Sequence, residues 1–122
     1  MLFLQALAVL FVYDIANCSG QFQFIYLLVT HCRVATGAPA SDTIERVCRA
    51  VNCACIWYPK HALCLQRSCV TTYLLRRRGV SAQMVLGAQK LPFKAHAWVE
   101  VDGHAVNERS NVQTTYTVWD RC

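Results

Sequence analysis

A single charged side chain, Asp14, stands in the first 30 residues, and every other Lys, Arg, Asp and Glu lies between Arg33 and Arg121. A stretch so poor in charge has little to hold it in water along its length, so it must lie largely against other apolar surface. It divides into two runs, Met1 to Tyr13 and Phe22 to Val29, parted by Asp14, Asn17 and Gly20. Neither reaches the roughly 20 apolar residues that cross a bilayer. The first also lacks the positive residues that precede the apolar centre of a signal peptide. Both are expected to be buried helices of a cytoplasmic protein whose eight cysteines stay reduced. Their apolar area is large for a small domain, which leaves room for contact with a partner or a membrane surface.

The chain has 122 residues, the size of one domain. No repeat, low-complexity tract or long Gly/Ser/Pro linker divides it, so 1–122 is expected to fold as a unit. Residues 1–60 form its hydrophobic helical part, and 61–122 hold a helix and a sheet. At 55% apolar and 16% charged residues, a disordered or solvating role is excluded. The net charge of +5 owes much to the run Arg76-Arg77-Arg78. One such run is not the extended basic face that binding along a nucleic-acid backbone needs, so no nucleic-acid partner is expected.

Thr36 to Ala40, with Gly37 and Pro39, break the second apolar run. Ser41 or Asp42 can then cap a new helix, with Asp42 and Glu45 spaced as in a capping box. Ile44, Val47, Cys48 and Val51 form its apolar stripe, Arg46 and Arg49 face outward, and the pattern predicts an end near Asn52. A further helix is predicted over 62–78, its last turn rich in arginine and Gly79 following as the C′ residue. Beyond Gly79 the period shortens. Ser81 to Gly87, Ala95 to Val101, Ala105 to Glu108 and Thr114 to Trp119 read as strands, and Asp102-Gly103 as a hairpin turn. Four helices followed by four strands, without alternation, give an α+β fold with an antiparallel sheet.

Three groups carry a possible chemistry. Cys64 falls in the first turn of the helix 62–78, where unpaired backbone N–H groups and the positive end of the dipole favour thiolate. His96 lies on a strand, and Glu108 lies on the returning arm of the hairpin. A cysteine nucleophile, a histidine base and a group that orients the imidazole make up the triad of acyl-transfer enzymes. Hairpin parity decides whether Glu108 can be the third. A three-residue loop, Val101-Asp102-Gly103, pairs Glu100 with His104 and sets Glu108 opposite His96. A two-residue loop pairs Val101 with His104, turns Glu108 away and leaves Asn107 on the face of His96. Sequence allows both, and a Cys-His-Asn arrangement also works.

These blocks resemble a known family. Cys64-Leu65-Gln66-Arg67-Ser68, Leu74-Leu75-Arg76-Arg77-Arg78-Gly79-Val80, Pro92-Phe93, His96-Ala97-Trp98-Val99-Glu100-Val101-Asp102-Gly103 and Val106-Asn107-Glu108 are similar to the transglutaminase-like cysteine peptidases that process lasso-peptide precursors. Tyr116 to Arg121 match more loosely. The resemblance implies a papain-like peptidase core and a triad of Cys64, His96 and Glu108, where the family usually has aspartate in the third place. It also implies leader removal from a precursor peptide, no cofactor, a separate leader-binding protein, and a separate ATP-dependent macrolactam cyclase that acts afterwards. The Cys64 backbone N–H is one donor for the oxyanion; Trp57 and Tyr58 are candidates for a second.

Other readings compete. Cys48, Cys53, Cys55, His61 and Cys64 could hold a zinc ion in a binding module, although none of the pairs has the usual knuckle spacing. A non-catalytic scaffold of the same fold could hold a peptide or the cyclase. Cys18, Cys32, Cys48, Cys69 and Cys122 are expected as small buried groups, and His31, His61 and His104 have no catalytic context. Glu100 and Asp102 are nearby carboxylates that could replace Glu108, although the turn accounts for Asp102. Arg67 is equally suited to a substrate carboxylate or to pairing on the helix surface. The triple arginine is expected as a solvated helix end.

Overall fold

The change of period at Gly79 divides the molecule as the sequence predicts, with helices before it and strands after. The computed structural model describes residues 2–18, 33–34, 42–57, 64–89, 94–106 and 116–121. These hold three helices, α1 (Leu2–Cys18), α2 (Thr43–Trp57) and α3 (Cys64–Arg77). Four strands follow, β1 (Ala82–Gln89), β2 (Lys94–Val101), β3 (His104–Val106) and β4 (Thr117–Arg121). The strands form one antiparallel sheet in the order β3-β2-β1-β4, and the fold is α+β. The apolar run Phe22 to Val29 lies outside the described residues.

Helix α2 begins where the capping signal lies, since the Asp42 carbonyl accepts the first helical bond from Arg46 N–H at 3.0 Å. It runs to Trp57 rather than ending near Asn52. Val47, Val51 and Ala54, all fully buried, continue one stripe at i, i+4 and i+7 past Asn52, and this burial extends the helix. Helix α3 ends in a Schellman motif: Val80 N–H reaches Leu75 O at 3.0 Å and Gly79 N–H reaches Arg76 O at 3.2 Å. Gly79 has φ +85°, a conformation that costs a residue with a Cβ.

The three helices cover one face of the sheet. Ala6 and Leu10 of α1, Val47, Val51 and Ala54 of α2, and Val70, Leu74 and Leu75 of α3 meet Val80, Ala82 and Val99 in one core. Each fully buried Leu or Val there contributes about 1.5–3 kcal/mol. Helix α1 runs antiparallel to α3, because Gln66 Nε2 donates to Leu10 O at 3.1 Å while Arg78 Nη2 donates to Gln5 Oε1. Burial of α1 is one-sided, contrary to expectation. Ala6, Leu10 and Tyr13 face the core, whereas Leu4, Phe11, Val12 and Ile15 are exposed. Among the described residues, no helix is long and apolar enough to cross a membrane.

The arginine run also departs from expectation, because only Arg77 is exposed. Arg76 is buried and its Nε donates to Ala82 O at 2.8 Å, tying the end of α3 to the start of β1. Arg78 spans Leu74 O and Gln5, and burial, with Arg46 and Arg77 nearby, lowers its pKa. Its stem covers apolar surface while its head makes bonds, so a charge run need not be a solvated one.

Candidate active site

Cys64 is the first residue of α3, so its backbone N–H is among the four that no helical carbonyl satisfies. Its side chain lies outside the described residues. One turn further, about 6 Å along the axis, the Ser68 hydroxyl donates to Ala97 O at 3.0 Å in a buried contact. Ala97 adjoins His96. The start of α3 is thereby tied to the stretch of β2 that carries the imidazole, across a separation of 29 positions.

Strand parity describes this junction further. Val101 pairs with His104 and Val99 with Val106, so Val101, Val99 and Ala97 all turn their N–H and C=O toward the β3 side of the strand. The described part of β3 stops at Val106, level with Val99. At Ala97, just past that end, the carbonyl takes the Ser68 hydroxyl. The first turns of α3 therefore meet β2 through the backbone of Ala97, beside His96.

His96 projects from the face that the helices do not cover. Val85 and Trp98 form a second small core there, with Ala105, Tyr116 and Val118 against it. The half-buried His96 ring stacks on Trp98 at 6.0 Å and 26° between planes, and meets Tyr116 at 5.3 Å and 33°. Trp98 in turn lies 6.0 Å from Tyr116. The indole N–H donates to Glu100 Oε2 at 2.9 Å, and both side chains are buried. Below them Gly87, the β1 partner of His96, leaves room for the indole. A Cβ on Gly87 would come within 2.7 Å of Trp98 Cη2 and 3.0 Å of Thr117 O. A bulge between Leu86 and Gly87 brings β4, and with it Tyr116, into place.

The loop between β2 and β3 has two residues. Asp102 and Gly103 have φ of 53° and 77°, the positive values that a type I′ turn requires. The three-residue loop that sets Glu108 opposite His96 is not the one formed, and Glu100 pairs with Ala105 instead of His104. Glu108 and Asn107 themselves lie outside the described residues. Glu100, weighed from sequence only as a replacement for Glu108, instead holds the indole. Trp98 and Tyr116 were not singled out from sequence as parts of a site. The signal that finds Trp98 and Glu100 is parity, since residues 96, 98 and 100 must share a face.

The remaining candidates are structural in character. Cys69 is buried and its thiol meets Met84 Sδ at 3.4 Å. Burial pushes the Cys48 thiol up from 9.0 to about 11, against the opposing pull of Arg67, and raises Cys55 for the same reasons. Arg67 thus lies close enough to α2 to act on both thiols. Among the described residues no three His, Cys, Asp or Glu side chains converge as metal ligands; His61 lies outside them. Trp57, a candidate oxyanion donor, is exposed at the end of α2, and Tyr58 lies outside the described residues. An open groove of about 650 Å³ between α2 and β3, lined by Ile44, Cys48, Cys53, Ile56 and Val106 among others, does not include His96.

Comparison with known proteins finds a partial relative and a family. Over 55 residues the chain is 34% identical to the microcin J25-processing protein McjB of Escherichia coli, a match that covers 45% of this chain. The chain spans only about a quarter of that relative, 26% of its length. No solved structure matches significantly. The Transglutaminase-like superfamily matches residues 8–120, nearly the whole chain, and the chain belongs to that superfamily.

Proposed function

We propose that this chain is a cysteine peptidase that removes the leader from a ribosomally made lasso-peptide precursor. The observation that carries the reading is the Ser68–Ala97 bond, which ties the turn after Cys64 to the strand position beside His96. Membership of the Transglutaminase-like superfamily and the partial likeness to a microcin J25-processing protein support it.

In this reading Cys64 is the nucleophile and His96 the base. His96 takes the thiol proton, and the thiolate attacks the carbonyl of the last leader residue. The Cys64 backbone N–H stabilises the tetrahedral oxyanion. As the C–N bond breaks, the imidazolium returns its proton to the leaving amine of the core peptide. Water, deprotonated by His96, then hydrolyses the thioester and frees the leader carboxylate. Glu108 orients His96 by family likeness, and the observed two-residue loop supports Asn107 as the alternative. No cofactor enters these steps.

The released amine is then free for a separate ATP-dependent cyclase, and a separate leader-binding protein presents the precursor in the cytoplasm. The exposed apolar side of α1, with Leu4, Phe11, Val12 and Ile15, offers surface for such a partner. The test is to incubate a precursor with this chain and its leader-binding protein and to follow leader loss by mass spectrometry. Cys64→Ala should abolish cleavage and His96→Ala should lower it at least roughly 1,000-fold. Undiminished cleavage by Cys64→Ala contradicts the assignment.

A further inference from the structure

The outer face of β2 holds a buried carboxylate that the proposed mechanism does not use. Glu100 is 2% exposed, yet the apolar core lies on the other side of its strand. Placing a carboxylate there is costly unless it is bonded, and its Oε2 accepts the N–H of Trp98, itself fully buried. We propose that Glu100 acts, through the indole of Trp98, as a positioning residue for the His96 imidazole. This rests on the reading that His96 is the catalytic base.

The geometry gives the indole one orientation. Its nitrogen end is fixed by Glu100 at 2.9 Å. Its opposite edge lies over Gly87, so close that a Cβ there would collide with Cη2 and Cζ3 at 2.7 and 2.8 Å. Turning the ring over would forfeit the Glu100 bond and leave a buried N–H and a buried carboxylate oxygen without each other. The plane that results lies 26° from that of His96, and Tyr116, itself 6.0 Å from the indole, meets the same imidazole at 33°, so the three rings pack as a triangle. A histidine base works only when its nitrogen points at the proton to be moved, and two adjoining rings packed against the imidazole restrict the rotations that would point it elsewhere. His96, Trp98 and Glu100 recur at every second residue, so the strand period itself delivers anchor, wall and base to one face.

The test compares Glu100→Leu, Glu100→Gln, Trp98→Phe and the double variant Trp98→Phe/Glu100→Leu. Two readouts are followed: steady-state leader removal, and the imidazole resonances of the four histidines, with His96→Ala assigning the one of interest. Glu100→Leu and Trp98→Phe should each lower kcat roughly ten-fold with KM unchanged. The double variant should be no slower than either single one, because both remove the same bond. Glu100→Gln, whose amide oxygen still accepts, should restore most of the rate. The ring-current-shifted His96 resonance should move in Glu100→Leu and return in Glu100→Gln. A fall in thermal stability with kcat and the His96 resonance unmoved would overturn the proposal, as would losses that multiply in the double variant. If the wild-type chain cleaves no leader, the peptidase reading fails, while the His96 resonance still reports on Glu100.

Discussion

Two faces of one strand divide the work of this molecule. Toward the helices β2 turns Ala97, which is buried, and Val99, which joins Ala82, Val70 and Leu75 in an apolar core. Away from them it turns His96, Trp98 and Glu100, a base, a ring and an acid in contact or bonded in sequence. The first face is built from interchangeable apolar volume, held by the amount of surface removed from water. The second depends on particular atoms, since one hydrogen bond and one missing Cβ set the plane of the indole. A substitution on the first should therefore change how much protein is folded, and one on the second how well the folded protein works.

The largest expected effect concerns the third member of the triad. Glu108→Gln and Asn107→Ala, assayed for leader removal, should differ by roughly 100-fold or more in rate, because only one of them orients His96. Equal, mild losses would mean that neither does. On the core face, Leu75→Ala should lower unfolding free energy by about 2–5 kcal/mol in urea titration. The rate per folded molecule should stay unchanged; a matching loss of kcat would dissolve the distinction between the faces.

Gly87→Ala sharpens the comparison, for the new methyl pushes on Trp98 from below. It should destabilise by about 1–3 kcal/mol and also lower kcat, unlike Leu75→Ala. The smallest effect is that of pH on the α2 side. Burial holds the Cys48 pKa at about 11 against 9.0. The native state therefore keeps a proton that the unfolded chain gives up as pH rises above 9. This contribution to stability is intact below pH 9 and fades between 9 and about 11. Cys48→Ala should flatten that decline in thermal melts followed against pH.

Much of this organisation is legible in the sequence. The apolar period marks α2 and α3, Gly79 marks the end of α3, and the switch to period two announces the sheet. Local rules failed where a tertiary contact decides. The end of α2 moved because Ala54 finds the core one turn past a polar Asn52. Arg76 is buried because a carbonyl at the start of β1 meets it. Asp102-Gly103 identifies the turn but not the loop length, and that single residue reverses which of Asn107 and Glu108 shares the face of His96. Both exposed and buried sides of α1 are apolar, so its pattern carries no orientation to read. The contact between His96 of β2 and Tyr116, just before β4, links segments whose strands do not pair with each other, which no local pattern announces.

The central claim is that the Cys64 sulfur and the His96 imidazole act as a pair, and the rate of thiol alkylation tests it most directly. With limiting iodoacetamide at neutral pH, peptide mapping should find Cys64 modified well ahead of the other seven cysteines, and His96→Ala should slow that site alone. If Cys64 instead reacts no faster than the exposed Cys53, and the substitution leaves its rate unchanged, the two groups are not paired and the peptidase account is contradicted.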